Sequence, residues 1–310
     1  MALVTVFGAS GRQGMAQVRQ VLAAGHKVRA ISRRSDPFLG QDLEGVEIVA
    51  ADLQDEESLV RAMTGADAAF YTHPLRARAS RVEGVARIGA AGKKAGIGRV
   101  VWNTSSYIPD KAGDPFTYGE NTKAINALWR SGAPATVFGS VLFMDNLLTN
   151  WAFPFIVGEG RYVYPHSPEL ASNWISLDDV AKFMVAAIDR PDLEGAWLNI
   201  GGPERIKPPQ VAEILTQTIG RTIRYDPCTP KQFGKLLCDA FGDEMGSQER
   251  EIMEAGMDAF YTYNNESPLH PFQVDMGPVL ERIPIQMETM AEWAKRQDWR
   301  AVNTPRPPGG

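Results

Sequence analysis

The chain has 310 residues, 44% hydrophobic and 22% charged, which is enough apolar content for one large α/β core or two smaller ones. A net charge of −5, from 32 basic and 37 acidic residues with no long basic run, disfavours nucleic-acid binding through phosphate neutralisation. Two cysteines, Cys228 and Cys238, make a poor disulfide framework, and no stretch reaches membrane-spanning length without polar residues. A cytoplasmic protein with free thiols is therefore expected.

The chain enters "ALVTVF" directly, without a basic leader or a small-residue cleavage site, and this run reads as a strand. "RQGMAQVRQVLAAG" follows as a helix, with Met15, Val18, Val21 and Leu22 on one face and Gly25 as its stop. Between them "GASGRQG" places Gly8, Gly11 and Gly14, with Ser10 and Arg12 interspersed. Glycines at this spacing allow a tight turn, close backbone approach to a pyrophosphate and close packing of helix on strand. The helix N-terminus then offers free N–H groups to the phosphates.

A second strand, "KVRAIS", runs into "RRSD". Arg33 and Arg34, after Ser32, stand where an acid would otherwise hold a ribose 2′-hydroxyl, so NADP(H) is expected over NAD; Asp36 remains an alternative partner for the ribose. The third strand, "VEIVAAD", leads to Asp52 and Leu53, expected beside the adenine unless Asp52 caps the helix predicted over Glu56–Met63. The fourth, "ADAAFYT", ends at Thr72, His73 and Pro74, expected near the ribose and pyrophosphate. A helix is expected near Arg78–Ala95, and a fifth strand, "RVVWNTSS", puts Ser105 and Ser106 at the carboxyl edge of the sheet with Tyr107 immediately after. This β-α-β-α alternation predicts a doubly wound parallel Rossmann sheet.

The next segment, "YGENTKAIN", nearly carries a Tyr-x-x-x-Lys proton-transfer pair, but Lys123 is five residues after Tyr118 and Gly119 holds the usual tyrosine place. Inside one helix, residues five apart diverge by about 140°. If instead the helix starts near Asn121, as Gly113, Pro115 and Gly119 favour, Tyr118 lies in a loop and stays a candidate proton donor. Lys123 is the stronger candidate, able to bond ribose hydroxyls or move a proton.

A sixth strand fits "ATVFGSVLF". Beyond Met144 the regular alternation loosens, and "NWAFPFIVGEGRYVYPHSPE" reads as a loop or small sheet around a pocket. Its aromatics, with Trp151 and His166 as candidate substrate contacts, suggest a flat or aromatic substrate. A helix fits "LDDVAKFMVAAIDR", a strand "AWLNIGG", a helix "KPPQVAEILTQTIGR" and a short strand "TIRYD". The expected organisation is a dinucleotide domain over 1–150, with 173–200 returning to it, and a smaller, mainly helical substrate-binding region from 151–172 and 201–300. The tail 301–310 is expected to be disordered. No metal-ligand spacing or Ser-His-Asp arrangement stands out, and no metal is expected.

Taken together, "VFGASGRQG", "AISRRSD", "ADLQDEESLVRAMTGAD", "KAINALWRSGAPATVFGSVLFMDNLL", "ISLDDVAKFMVAAI" and "GGPERIKPPQVAEILTQTIGRTIRY" resemble the NmrA-like branch of atypical short-chain dehydrogenases, up to about Tyr225. The resemblance implies the fold and the dinucleotide more strongly than it implies turnover, because the branch holds both NADPH-dependent reductases of quinones, dyes and aromatic ethers and non-catalytic redox sensors. It implies that Lys123 acts near the nicotinamide, with Asn126 where the family often has an acid. It also implies that Phe143, Met144 and Asn146 lie near the nicotinamide pocket. The expectation is an NADPH-dependent reductase of a carbonyl, quinone or conjugated aromatic compound, acting as a monomer or homodimer. The alternatives are a non-catalytic NADP(H) sensor and, more weakly, an epimerase or dehydratase.

Overall fold

The computed structural model describes residues 1–32, 38, 43–74, 79–109, 116–241 and 245–300. Seven described strands form one parallel sheet: β1 (Leu3–Phe7), β2 (Lys27–Ile31), β3 (Val46–Val49), β4 (Ala68–Thr72), β5 (Arg99–Asn103), β6 (Ala135–Ser140) and β8 (Trp197–Ile200). β1, β4, β5 and β6 are buried almost throughout, which is why they read as near-continuous apolar runs. The order β3-β2-β1-β4-β5-β6-β8 reverses direction between β1 and β4. In open parallel sheets, the crevice outside the strand ends at such a reversal is where ligands bind.

The crossover helices are α1 (Arg12–Ala23), α2 (Glu56–Met63), α3 (Arg81–Ala95), α4 (Phe116–Arg130) and α5 (Leu177–Ala186). Asp55, not Asp52, caps α2 by accepting from the Glu57 N–H. Ser80 and Glu83 form a reciprocal capping box that starts α3 at Arg81, later than the expected boundary at Arg78, which lies outside the described residues. The helix near "YGENTK" also departs from expectation. α4 begins at Phe116 and so includes Tyr118, which the nearby glycines and proline had placed in a loop.

After β6 come a 3₁₀ turn at Met144–Leu148 and a π-helical turn at Phe155–Glu159. β7 (Arg161–Tyr164) then pairs in parallel with β9 (Arg224–Pro227) in a separate two-stranded sheet, so "TIRYD" is a strand of this small sheet. α6 (Pro208–Ile219) packs on β9, α7 (Pro230–Phe241) and α8 (Ser247–Glu266) pack on Tyr164 of β7 through Phe233 and Tyr261, α9 (Met276–Arg282) lies against β8, and α10 (Met290–Lys295) lies against α6. One cluster of buried side chains runs from Val4, Val6 and Val18 through Phe138 and Trp174 to Phe233 and Trp293, so the small sheet and the main sheet share a core. No described helix is long and apolar enough to cross a membrane. Both cysteines are free thiols. The tail 301–310 lies outside the described residues.

Candidate active site

The turn from β1 into α1 is built as the glycine spacing requires. Gly8 has φ +67°, a left-handed conformation that costs other residues energy. At Gly14 a Cβ would stand 2.1 Å from the Gly8 carbonyl oxygen, so the helix approaches the strand only with glycine there. Gly11 is the N-cap of α1 and has no side chain to bond the first-turn N–H groups. That leaves the turn with the donors and the close backbone approach a pyrophosphate needs, at the point where the strand order reverses. The residues present therefore fit a dinucleotide. Ser10 and Arg12 are partly exposed in the same turn.

Beside this turn, the end of β5 carries a closed polar network. Asn103, fully buried, accepts at Oδ1 from the Ser105 N–H (3.1 Å) and from the Ser140 hydroxyl (2.7 Å). Its Nδ2 donates to Gln13 Oε1 at 2.7 Å, and Gln13 Nε2 donates to the Ser105 hydroxyl at 3.0 Å. Ser105 has φ +58°, one of two described non-glycine residues with positive φ. Such backbone persists only where its surroundings impose it, and it concentrates at functional sites.

The buried face of α4 points at the same edge through Asn121. Asn121 Nδ2 donates to the Ser106 hydroxyl (2.9 Å) and to the Tyr107 carbonyl (2.8 Å), while its Oδ1 accepts from Arg81 Nη1 (2.6 Å). Ser106 is thus nearly buried and tied to α4, whereas Ser105 is half-buried. Lys123, two residues on and about 200° around the helix, is exposed on the opposite face from Asn121, Ala124 and Leu128. Tyr118 is 1% exposed. Its hydroxyl donates to Asn264 Oδ1 at 2.8 Å, and its ring packs edge-on to Tyr107 and Tyr263 and against Phe260. Burial holds its hydroxyl protonated far above the usual tyrosine range. With both residues in α4, the divergence expected for a five-residue spacing holds: Tyr118 and Lys123 leave the helix on different faces and form no Tyr–Lys pair.

The remaining candidates divide between the crevice and the core. Thr72 accepts from Gln17 Nε2 of α1 at 3.2 Å. His73 turns under α3, sharing a 2.7 Å hydrogen bond with the Tyr71 hydroxyl. Burial first, then the Arg81 guanidinium, lower its pKa to about 4, against a backbone hydrogen bond at Ala79 that favours the charged ring. Asp52 is exposed and accepts from the Gln54 N–H, and Leu53 is half-buried against the α2–α3 side of the core. Arg33, Arg34 and Asp36 lie outside the described residues.

Arg12 Nη1 donates to the Asp145 carbonyl at 3.0 Å, tying the glycine turn to the 3₁₀ turn after β6. Phe143 packs there against Ala16 of α1 and Leu177 and Ala181 of α5. Asn146 Nδ2 reaches the Tyr164 hydroxyl at 3.3 Å. Met144 is buried, and Trp151 packs on Tyr164 and Phe233. His166, expected to face substrate, is 2% exposed inside a cage of Tyr164, Trp174, Tyr261 and Phe272. Burial lowers its pKa to about 3. Met144 and His166 thus belong to the core. No group of three His, Cys, Asp or Glu side chains suited to a metal occurs among the described residues.

Gln13, Asn103 and Asn121 are the residues that sequence reasoning missed. Gln13 sits inside the quoted glycine motif and Asn103 inside the quoted strand, and each is a neutral amide whose partner is about as far away in the chain as 90 residues.

The description "NmrA-like family" fits residues 1–294 as a family match. An NAD(P)H azoreductase of Xenophilus azovorans is 28% identical over 74% of this chain and 78% of its own length. A (4-alkanoyl-5-oxo-2,5-dihydrofuran-3-yl)methyl phosphate reductase of Streptomyces griseus subsp. griseus is 29% identical over 72% of this chain and 76% of its own. The triphenylmethane reductase of Citrobacter sp., solved in complex with NADP(H), superposes with a TM-score of 0.73 at 17% identity, covering 94% of this chain and 99% of that one, and so shares the fold.

Proposed function

Because this chain belongs to the NmrA-like family, we propose that it is an NADPH-dependent reductase of a small molecule bearing a carbonyl, quinone or conjugated aromatic group. The observation that carries the reading is the juxtaposition of two features at one sheet edge. The β1–α1 turn fits a dinucleotide, and the strained, networked Ser105 stands one strand beyond the reversal point. Two reductase relatives covering about three-quarters of the chain support it.

When bound, NADPH supplies the two electrons and the hydrogen for the reduction. Gly8, Gly11 and Gly14 with the first turn of α1 hold its pyrophosphate, and Arg33 and Arg34 select the 2′-phosphate. Ser105 orients the acceptor group of the substrate, Asn121 fixes the Ser106–Tyr107 backbone beneath it, and Phe143 and Asn146 border the nicotinamide side. Lys123 and Tyr118 take no part in proton transfer in this reading, and the proton comes from solvent.

The exposure of Lys123 and the burial of Tyr118 also favour a second reading, a chain that binds NADP(H) and senses it without turnover. Equilibrium binding of NADPH and NADH to the wild type and to an Arg33→Ala/Arg34→Ala variant tests the cofactor assignment that both readings need. NADPH is expected to bind tighter by about tenfold or more, as loss of charge-assisted hydrogen bonds implies, and the variant to lose that preference. Equal affinities in the wild type would contradict the assignment.

A further inference from the structure

The hydrogen-bond network around Asn103 has a direction, and that direction can be followed without choosing it. A backbone N–H can only donate, so the Ser105 N–H at 3.1 Å identifies the Asn103 atom it meets as the oxygen. The Ser140 hydroxyl, at 2.7 Å from the same oxygen, therefore also donates. Asn103 must then present its NH₂ to Gln13, which meets it with Oε1 at 2.7 Å. Gln13 in turn has only its NH₂ left for Ser105, and it donates to the serine oxygen at 3.0 Å. The serine oxygen is thereby used as an acceptor. The only other contact of its hydroxyl in the network is the 3.4 Å approach to Gln13 Oε1, an oxygen already holding Asn103.

Resting on the reductase reading above, we propose that Gln13 is a positioning residue that sets the polarity of Ser105, so that the serine hydroxyl donates its hydrogen to an acceptor atom of the substrate. The chemical class follows from the polarity. A ketone or quinone oxygen or an azo nitrogen offers a lone pair to this hydrogen, and electron density builds on that atom as the group is reduced. A substrate whose only polar groups at this position are N–H or O–H donors meets a serine oxygen that already accepts from Gln13. The left-handed backbone at Ser105 serves the same end: it brings the residue's own N–H back onto Asn103 and so closes the ring of bonds that fixes the direction. Gln13 stands in the first turn of α1, so the element that receives the pyrophosphate also orients the group that meets the substrate.

The test is a double-variant cycle with Gln13→Met, Ser105→Ala and the combination, turned over with NADPH and a benzoquinone. Each single variant is expected to lower kcat by about a hundredfold, the size seen when one preorganised donor is removed. The double variant is expected to be no slower than Ser105→Ala, because Gln13 acts only through the serine. NADPH affinity, read from nicotinamide fluorescence, is expected to stay within about threefold in all of them, because the first turn of α1 meets a pyrophosphate through backbone N–H groups while the Gln13 side chain is turned to Ser105 and Asn103. Additive losses in kcat, or full turnover in Gln13→Met, would overturn the proposal.

A second readout needs no turnover. Amide hydrogen exchange at Ser105 is expected to accelerate in Gln13→Met, as Asn103 loses its partner, and unchanged protection would dismiss the network. If the wild type consumes no NADPH with any acceptor, the reductase reading falls, and the exchange result alone decides whether Gln13 holds Ser105.

Discussion

Asn121 and Lys123 are separated by one residue and by about half a helical turn, and that rotation decides which of them can act at the sheet edge. The amide of Asn121 is fully buried and holds the Ser106 hydroxyl and the Tyr107 carbonyl; the ammonium of Lys123 is in water. Lys123→Ala is accordingly expected to leave kcat and KM for an accepted substrate within about threefold of wild type, as surface substitutions away from partners do. Asn121→Ala, which removes the donor to the Ser106 hydroxyl and one acceptor of the Arg81 guanidinium, is expected to lower both stability and kcat; a steady-state comparison of the two variants checks the assignment. The reverse ranking would return catalysis to the lysine. In the sequence the lysine stood out because charge is visible in a string of letters, whereas the orientation of a neutral amide is not. The glycines of the first turn were legible for the opposite reason: their constraint is local, within seven residues, and needs no distant partner to be recognised.

At the level of elements, α4 and α8 meet through Tyr118. Its hydroxyl bonds Asn264, and Asn264 Nδ2 in turn bonds the Phe260 carbonyl at 2.7 Å within α8. The tyrosine thus fastens a helix of the main sheet to the helices around the small sheet. Tyr118→Phe keeps the ring contacts and removes one hydrogen bond, so it is expected to cost about 1–2 kcal/mol of stability while leaving kcat almost unchanged. Chemical denaturation alongside a turnover assay reads both. A large kcat loss at unchanged stability would restore Tyr118 as a proton donor. The presence of the main strands and their parallel, doubly wound arrangement were readable from alternation, because each is short and bounded by turn residues, whereas their order across the sheet depends on pairings that no local pattern carries. The start of α4 was not, because Gly119, which suggests a loop, is tolerated in its first turn where Tyr118 packs against α8. The aromatic segment around Tyr162 and His166 was equally ambiguous, since a substrate pocket and a core use the same side chains.

For the whole molecule, two imidazoles are held neutral inside the fold, and this sets its response to acid. Unfolded, each takes up a proton near the ordinary value of 6.5; folded, His166 does so only near about 3 and His73 near about 4. Both folded values are depressed, so their stability contribution is complete above about 6.5 and is lost as the pH falls below it, where the unfolded chain binds the extra protons. The slope from His166 is up to about 1.4 kcal/mol per pH unit. Thermal unfolding between pH 7 and pH 5 is expected to show a Tm that falls more steeply for wild type than for His166→Phe, which fills the aromatic cage without a titrating ring. Parallel curves would mean that His166 is solvated or paired in solution.

At the carboxyl edge of β1, β4 and β5, Gly8 is exposed and Ser105 half-buried, and the proposed chemistry takes place there. NADPH consumption by the wild-type chain and by Ser105→Ala, measured across quinone and azo acceptors, tests it most directly. Saturable, acceptor-dependent loss of NADPH is expected, slowing by about a hundredfold without the Ser105 hydroxyl. Tight NADPH binding with no acceptor-dependent consumption would contradict it and leave the chain a sensor of the dinucleotide.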